Sequence, residues 1–152
     1  MEKLSFTKSD IIKIQMNRDP YLMIDHASEV ILGKKSKGYK ILKKNEWFFK
    51  VHWENDPNMP GMLQLESMTQ MASLMILGKK DNHGKVMYLT SMDKIRFFKK
   101  VIPENRLEIE TELINWNRGI GKFEGKCIIN QEIVSKAIFN LMLPEELIKY
   151  NK

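Results

Sequence analysis

An α+β fold, one long helix wrapped by a curved antiparallel sheet, is predicted by three features of this 152-residue chain. From Gly61 to Leu77, apolar residues recur at helical spacing: Met62, Leu65, Met68, Ala72 and then Met75 or Ile76. The run is apolar on nearly every side, as in a helix buried at the centre of a small domain. Beyond the polar break Gly78–Gly84, the pattern is β only. No linker, repeat or low-complexity segment interrupts the chain, so residues 1–152 are expected to form a single domain.

The elements follow in order. Thr7 or Ser9 can cap a short helix over Asp10–Ile14, which ends before Asp19-Pro20. Tyr21–Asp25 is an apolar run expected to be a first strand, continuing unevenly towards Val30-Ile31-Leu32. A turn at Gly33-Lys34-Lys35 leads into Lys37–Leu42, which alternates like a half-buried strand with its lysines outward. Trp47, Phe48 and Phe49 form an aromatic cluster, core by default, and placed to wall an apolar pocket beside His52. From His52 onward a turn-rich loop, stiffened by Pro57 and Pro60, is expected to enter the long helix. After that helix, Val86–Thr90 and Lys94–Phe98 read as one long or broken strand. Leu107–Leu113, Phe123–Ile129 and Glu132–Leu143 complete the sheet. Pro144 ends the last strand, and a short helix is expected in the tail.

Composition excludes several function classes. Hydrophobic residues make up 43% and charged residues 29%, as in ordinary globular proteins. No stretch is long and apolar enough for a membrane span, and the N-terminal residues lack a signal-peptide core. The single cysteine, Cys127, suits a reducing compartment, so a cytoplasmic protein is expected. A net charge of +6 favours an acidic partner. No nucleic-acid module accompanies it, which leaves solubilising surface lysines or an acidic protein partner. His26, His52 and His83 are scattered, so no metal site is expected. A Gly-x-Ser-x-Gly elbow and a phosphate-binding glycine loop are both missing from the sequence.

Three residues remain as catalytic candidates: His52, Gly61 and Glu66. A carboxylate inside a buried helix is costly, and Glu66 lies five residues into this one. Singly, each has a bland reading: a structural histidine, a turn glycine, a glutamate on a misjudged face. Together they suit one chemistry. Histidine is a base near neutral pH and can take a proton beside a thioester carbonyl. A glutamic acid in an apolar pocket keeps its proton and can release a β-hydroxyl as water. The free N–H of Gly61 at the helix start can hydrogen-bond the thioester oxygen, and a side chain there would crowd the ligand.

The motif His52-x4-Pro57-x-Met59-Pro60-Gly61-x4-Glu66-x-Met68-x-Gln70 resembles that of the hot-dog-fold β-hydroxyacyl-acyl carrier protein dehydratases of the FabZ type. Weaker likeness lies in Arg18-x-Pro20-Tyr21-Leu22-Met23-Ile24-Asp25, in Asn45-Glu46-x-Phe48-Phe49, and in Arg96-Phe97 with Val101-x-Pro103. The resemblance spans about Asp10 to Leu143. It implies a single hot-dog domain, His52 as base at the α carbon, Glu66 as acid at the β-hydroxyl, and the Gly61 amide on the thioester oxygen. Phe48, Phe49, Met59, Pro60, Gln64, Gln70 and Phe97 would contact substrate. Arg96, Lys99 and Lys100 would meet an acidic acyl carrier protein whose phosphopantetheine arm delivers the substrate, with no other cofactor. The family's active site takes its histidine and glutamate from different subunits, which implies a homodimer, commonly assembled into a hexamer as a trimer of dimers.

This chain departs from the family pattern at several places. Val51 replaces a glycine, Trp53-Glu54 a Phe-Pro pair, and Met16–Asp19 a Pro-His-Arg-Tyr-like stretch. Glu104-Asn105 replaces Gly-Asp, and Gln64 stands where an aliphatic residue is usual, in or near the acyl tunnel. These differences suggest a specialised acyl substrate. A hot-dog thioesterase using Glu66 to activate water, and a non-catalytic carrier-binding subunit, are the rival readings.

Overall fold

The computed structural model describes residues 1–150. Its centre is helix α3, Gly61–Leu77, in which every residue from Leu63 to Leu77 except Glu66 is buried. Such a helix has no solvent face to spare, so its stability comes from being covered. Seven antiparallel strands provide the cover: β1 (Leu4–Thr7), β2 (His26–Ile31), β3 (Lys35–Ile41), β4 (Tyr88–Phe97), β5 (Arg106–Asn117), β6 (Ile120–Ile129) and β7 (Glu132–Met142). Their order in the sheet is β1-β2-β3-β5-β6-β7-β4. The chain leaves β3, passes through α2 (Trp47–His52) and α3, and lays β4 at the far edge. It then returns with β5 beside β3, so α3 packs against β2, β3, β5, β6 and β7. This is the hot-dog layout, and no helix among the described residues is long and apolar enough to cross a membrane.

Close approach between helix and sheet depends on glycine. A Cβ on Gly38 of β3 would lie 2.1 Å from the His26 carbonyl oxygen and 2.6 Å from Met71 Cε of α3. Beside it, the Ser36 hydroxyl donates to the Met71 carbonyl at 2.7 Å and also meets Thr111 Oγ1 at 2.6 Å. These bonds satisfy polar groups that the enclosure removes from water.

Four expectations need correction. Tyr21–Asp25 is not a strand, although Leu22, Met23 and Ile24 are fully buried. Part of its backbone bonding goes to the Gln70 side chain instead of a neighbouring strand, and pairing starts at His26. The aromatic cluster belongs to α2, so His52 closes a short helix and does not lie in a free loop. Strand β1 precedes the first predicted element. Its four residues pair with β2 and show only a short alternation. Helix α1 (Lys8–Ile14) follows directly, capped by Thr7, whose hydroxyl accepts from the Asp10 N–H while Asp10 Oδ2 accepts from the Thr7 N–H. Finally, Lys40 does not face outward. It shares the inner face of β3 with Ser36 and Gly38, and only 5% of its side chain is exposed.

A buried ammonium needs a partner. Glu46, at the start of α2, places Oε1 3.2 Å from Lys40 Nζ, with 15% of its own side chain exposed. Truncating one member of such a pair leaves the other charge uncompensated. Glu46→Ala is therefore expected to lower unfolding stability by about 3 kcal/mol, read from urea denaturation. Replacing both with apolar residues should recover most of that loss.

Candidate active site

Glu66 owes its place to α3 and its character to desolvation. It is half-buried, and burial pushes its pKa above the ordinary carboxylate value, against hydrogen bonds from Gln70 and Thr69 that pull it down. Gln70, one turn on, donates from Nε2 to Glu66 Oε1 at 3.0 Å and to the Tyr21 carbonyl at 2.9 Å. Its Oε1 accepts from the Met23 N–H at 2.8 Å. A backbone N–H can only donate and a carbonyl can only accept, so the orientation of the Gln70 amide is fixed. Thr69 Oγ1 has a single proton, 2.9 Å from the Glu66 carbonyl and 3.4 Å from Glu66 Oε2. The proton goes chiefly to the shorter contact, so Thr69 bonds Oε2 weakly and opposes the rise in pKa less than Gln70 does.

His52 ends α2 with its ring stacked on Trp53, centroids 3.9 Å apart. Nδ1 lies 2.8 Å from the Asn58 carbonyl oxygen. That oxygen accepts only, so Nδ1 carries the proton, and Nε2 of the neutral ring is a free base. The loop is pinned in turn. Asn58 Oδ1 accepts from the Val101 N–H at 3.0 Å, and the Met59 N–H donates to the Val101 carbonyl at 2.7 Å.

Gly61 opens α3 immediately after Pro60, and its N–H has no hydrogen-bond partner among the described residues. A Cβ on Gly61 would stand 2.6 Å from Phe97 Cε1, so glycine lets that ring lie against the helix start. His52, Gly61, Gln64, Phe97, Lys99 and Lys100 line one open groove of about 500 Å³, with Met59 in its wall. Glu66 and Gln70 line a different cavity, of about 230 Å³, with Gln15, Thr69 and Ser73. A single chain thus does not gather His52 and Glu66 into one cavity.

The remaining candidates divide. Lys99 and Lys100 reach the groove but are held by Glu132 and Asp56 respectively. Arg96 does not line the groove, and its guanidinium donates a long hydrogen bond to the Ile95 carbonyl at 3.4 Å. Phe48 and Phe49 line neither cavity. They are core residues with centroids 4.7 Å apart, because α2 turns them inward. Sequence reasoning missed Asn58, whose contribution is a main-chain atom, and Trp53, whose only signal is adjacency to His52. It also missed Gln15 and Ser73, which meet only once α1 packs on α3.

Comparison with known proteins agrees with this architecture. The hot-dog class is shared with a protein of the dehydratase heterocomplex ApeI:P from Xenorhabdus doucetiae, at TM-score 0.76 and 15% identity over 93% of this chain and 97% of that one. A hypothetical thioesterase from Streptococcus pneumoniae has TM-score 0.57 and 13% identity over 74% and 80% of the two chains. Residues 16–138 match the FabA-like domain, and the chain belongs to that family. A 3-hydroxyacyl-[acyl-carrier-protein] dehydratase FabZ from Alkaliphilus metalliredigens is 39% identical over 88% of this chain and 91% of its own. The same-named protein of Bacillus subtilis is 35% identical over 89% and 96%.

The raised Glu66 pKa carries a stability consequence. The fold favours the protonated carboxyl, so Glu66 contributes stability below its unfolded-state pKa and loses it as pH rises through the higher folded value. Glu66→Gln should therefore melt higher than the parent at neutral pH. The gap in Tm should close as pH falls below the ordinary carboxylate range, as read by calorimetry across pH.

Proposed function

We propose that this chain dehydrates a 3-hydroxyacyl thioester on acyl carrier protein to the trans-2-enoyl thioester, in fatty-acid or related acyl biosynthesis. One observation carries the reading. The Asn58 carbonyl fixes the His52 tautomer with Nε2 free, in a groove that also presents the unpaired Gly61 N–H. His52 Nε2 takes the proton from C2, and the Gly61 amide stabilises the charge growing on the thioester oxygen. The C2–H electron pair becomes the new double bond as the C3–O bond breaks. Glu66 gives its proton to the departing hydroxyl, and water leaves. The step yields the trans-2-enoyl thioester and water and leaves an imidazolium and a carboxylate; passing the proton from His52 to Glu66 restores both. All atoms and electrons balance without a redox or metal partner.

Two residues on different cavities of one chain call for a second subunit. We infer a homodimer in which His52 of one copy serves Glu66 of the other. Strand β4 supports this: it is a sheet edge, and Tyr88, Leu89 and Phe97 on it are each about half exposed. The arrangement also accommodates an acidic carrier protein approaching the Lys99–Lys100 rim of the groove, in the cytoplasm.

The test is mass spectrometry of a 3-hydroxyacyl carrier protein incubated with the enzyme. The expected result is loss of one water, reduced at least about 10²-fold in His52→Ala and in Glu66→Gln. Mixing the two variants under exchange should restore about a quarter of parent activity, since half the dimers then hold one intact site of two. Release of free acid would mark a thioesterase. Carrier binding without turnover would mark a binding subunit.

A further inference from the structure

The Glu66 cavity contains a polar group that the proposed proton transfers do not use. Gln15 caps the end of α1, with its N–H on the Ile11 carbonyl at 2.9 Å and its own carbonyl accepting from Arg18 at 2.7 Å. Its side chain is 1% exposed and lines the cavity. Among the described residues only one end of its amide is satisfied: Oε1 lies 3.0 Å from Ser73 Oγ, and Nε2 has no hydrogen-bond partner. Ser73 Oγ has a single proton and also lies 2.8 Å from the Gln70 carbonyl, which can only accept. If the hydroxyl serves that carbonyl, the amide turns over, Nε2 donates to Ser73 Oγ, and Oε1 becomes the unpaired end. Either way, one buried amide end is left without a partner among the described residues.

Glu66, Gln70, Ser73 and Leu77 form one stripe along α3, at spacings of four, three and four residues. Ser73 therefore lies about 10 Å along the axis from Glu66. The cavity wall is mixed, with Met16, Leu77, Val86, Met87, Leu89 and Leu141 beside the polar groups. An acyl chain with its 3-hydroxyl at Glu66 that ran along this stripe would bring methylenes to Gln15 and Ser73. An alkyl chain packed there would seal an amide end from every partner, which is the costly arrangement for a buried polar group.

We propose that Gln15 determines which acyl chains this cavity accepts, by requiring a hydrogen-bonding oxygen at that depth. The oxygen comes either from a polar substituent on a long chain or from water retained behind a short one, for which a cavity lined by Gln15, Ser73 and Thr69 is polar enough. Long unsubstituted chains are disfavoured. This inference rests on the dehydratase reading for its substrate class.

The test compares kcat/KM for the 3-hydroxybutyryl, 3-hydroxydodecanoyl and distally hydroxylated dodecanoyl carrier proteins. The parent should prefer the first and third over the second. Gln15→Met, of similar shape and without the amide, should raise the dodecanoyl-to-butyryl ratio about tenfold and remove the advantage of the distal hydroxyl. Ser73→Ala frees the other amide end and should lower that ratio. A merely structural role would shift Tm in both variants and leave the ratios alone. If turnover persists and the Gln15→Met ratio stays within twofold of the parent, the inference is wrong and the dehydratase stands. Calorimetric binding of unreactive acyl-pantetheine amides of both lengths separates the two readings. Absence of turnover, with a length preference that Gln15→Met reverses, would overturn the reaction and keep the selectivity role. Retention of the same length preference by Gln15→Met would overturn the selectivity role. A parent that favours the long alkyl chain would overturn it too. Water behind a short chain is distinguished from a polar chain by whether the butyryl or the hydroxylated dodecanoyl substrate is preferred.

Discussion

A helix that is mostly apolar and has almost no exposed face persists in water only if other parts of the chain enclose it, and the enclosure of α3 is the constraint on which this protein depends. It requires a sheet wide enough to wrap, so five strands of a seven-stranded sheet pack on one helix. It demands glycine at Gly38, where β3 meets Met71. It also draws in the extended Leu22–Ile24 segment, whose backbone must then find partners other than a strand. The same enclosure desolvates Glu66 and raises its pKa above the ordinary carboxylate value. Fold and chemistry thus share a single cause.

The two titratable groups are prepared by opposite means. Glu66 is tuned by removal from water and steadied by Gln70, which is itself anchored to Tyr21 and Met23. His52 lies in an open groove and is set by orientation, through Trp53 on its face and the Asn58 carbonyl at Nδ1. An acid needs a dry site and a base needs an accessible nitrogen. Glu66 and His52 line separate cavities of one chain, which suits both needs, and in the proposed dimer they would meet where two chains join.

What was legible in the sequence was what periodicity and spacing encode. The apolar run of Gly61–Leu77 marked the central helix with its observed ends, and the alternation from Leu107 onward marked the later strands. The misfit of Glu66 with its apolar neighbours in the chain singled out the one carboxylate that α3 carries into a cavity. The failures share a physical root in tertiary partners. Leu22–Ile24 are as apolar as a strand, and only the remote Gln70 explains why they do not pair like one. Lys40 looks solvent-facing until Glu46 comes beneath it. Phe48 and Phe49 look like pocket walls until α2 rotates them into the core. Gln15 and Ser73 are far apart in sequence and meet only through packing.

The bond that orients His52 ends on a main-chain oxygen. A carbonyl is present whatever residue occupies position 58, so the base keeps its tautomer under side-chain replacement there. The Asn58 side chain has the separate task of holding the loop to Val101. Orientation of the base and anchoring of the loop are thereby uncoupled at a single residue. Heritable change at that site can alter loop rigidity, and with it the shape of the groove, while the acceptor for the imidazole stays chemically the same. The site is robust at the atom that matters for the base and evolvable beside it.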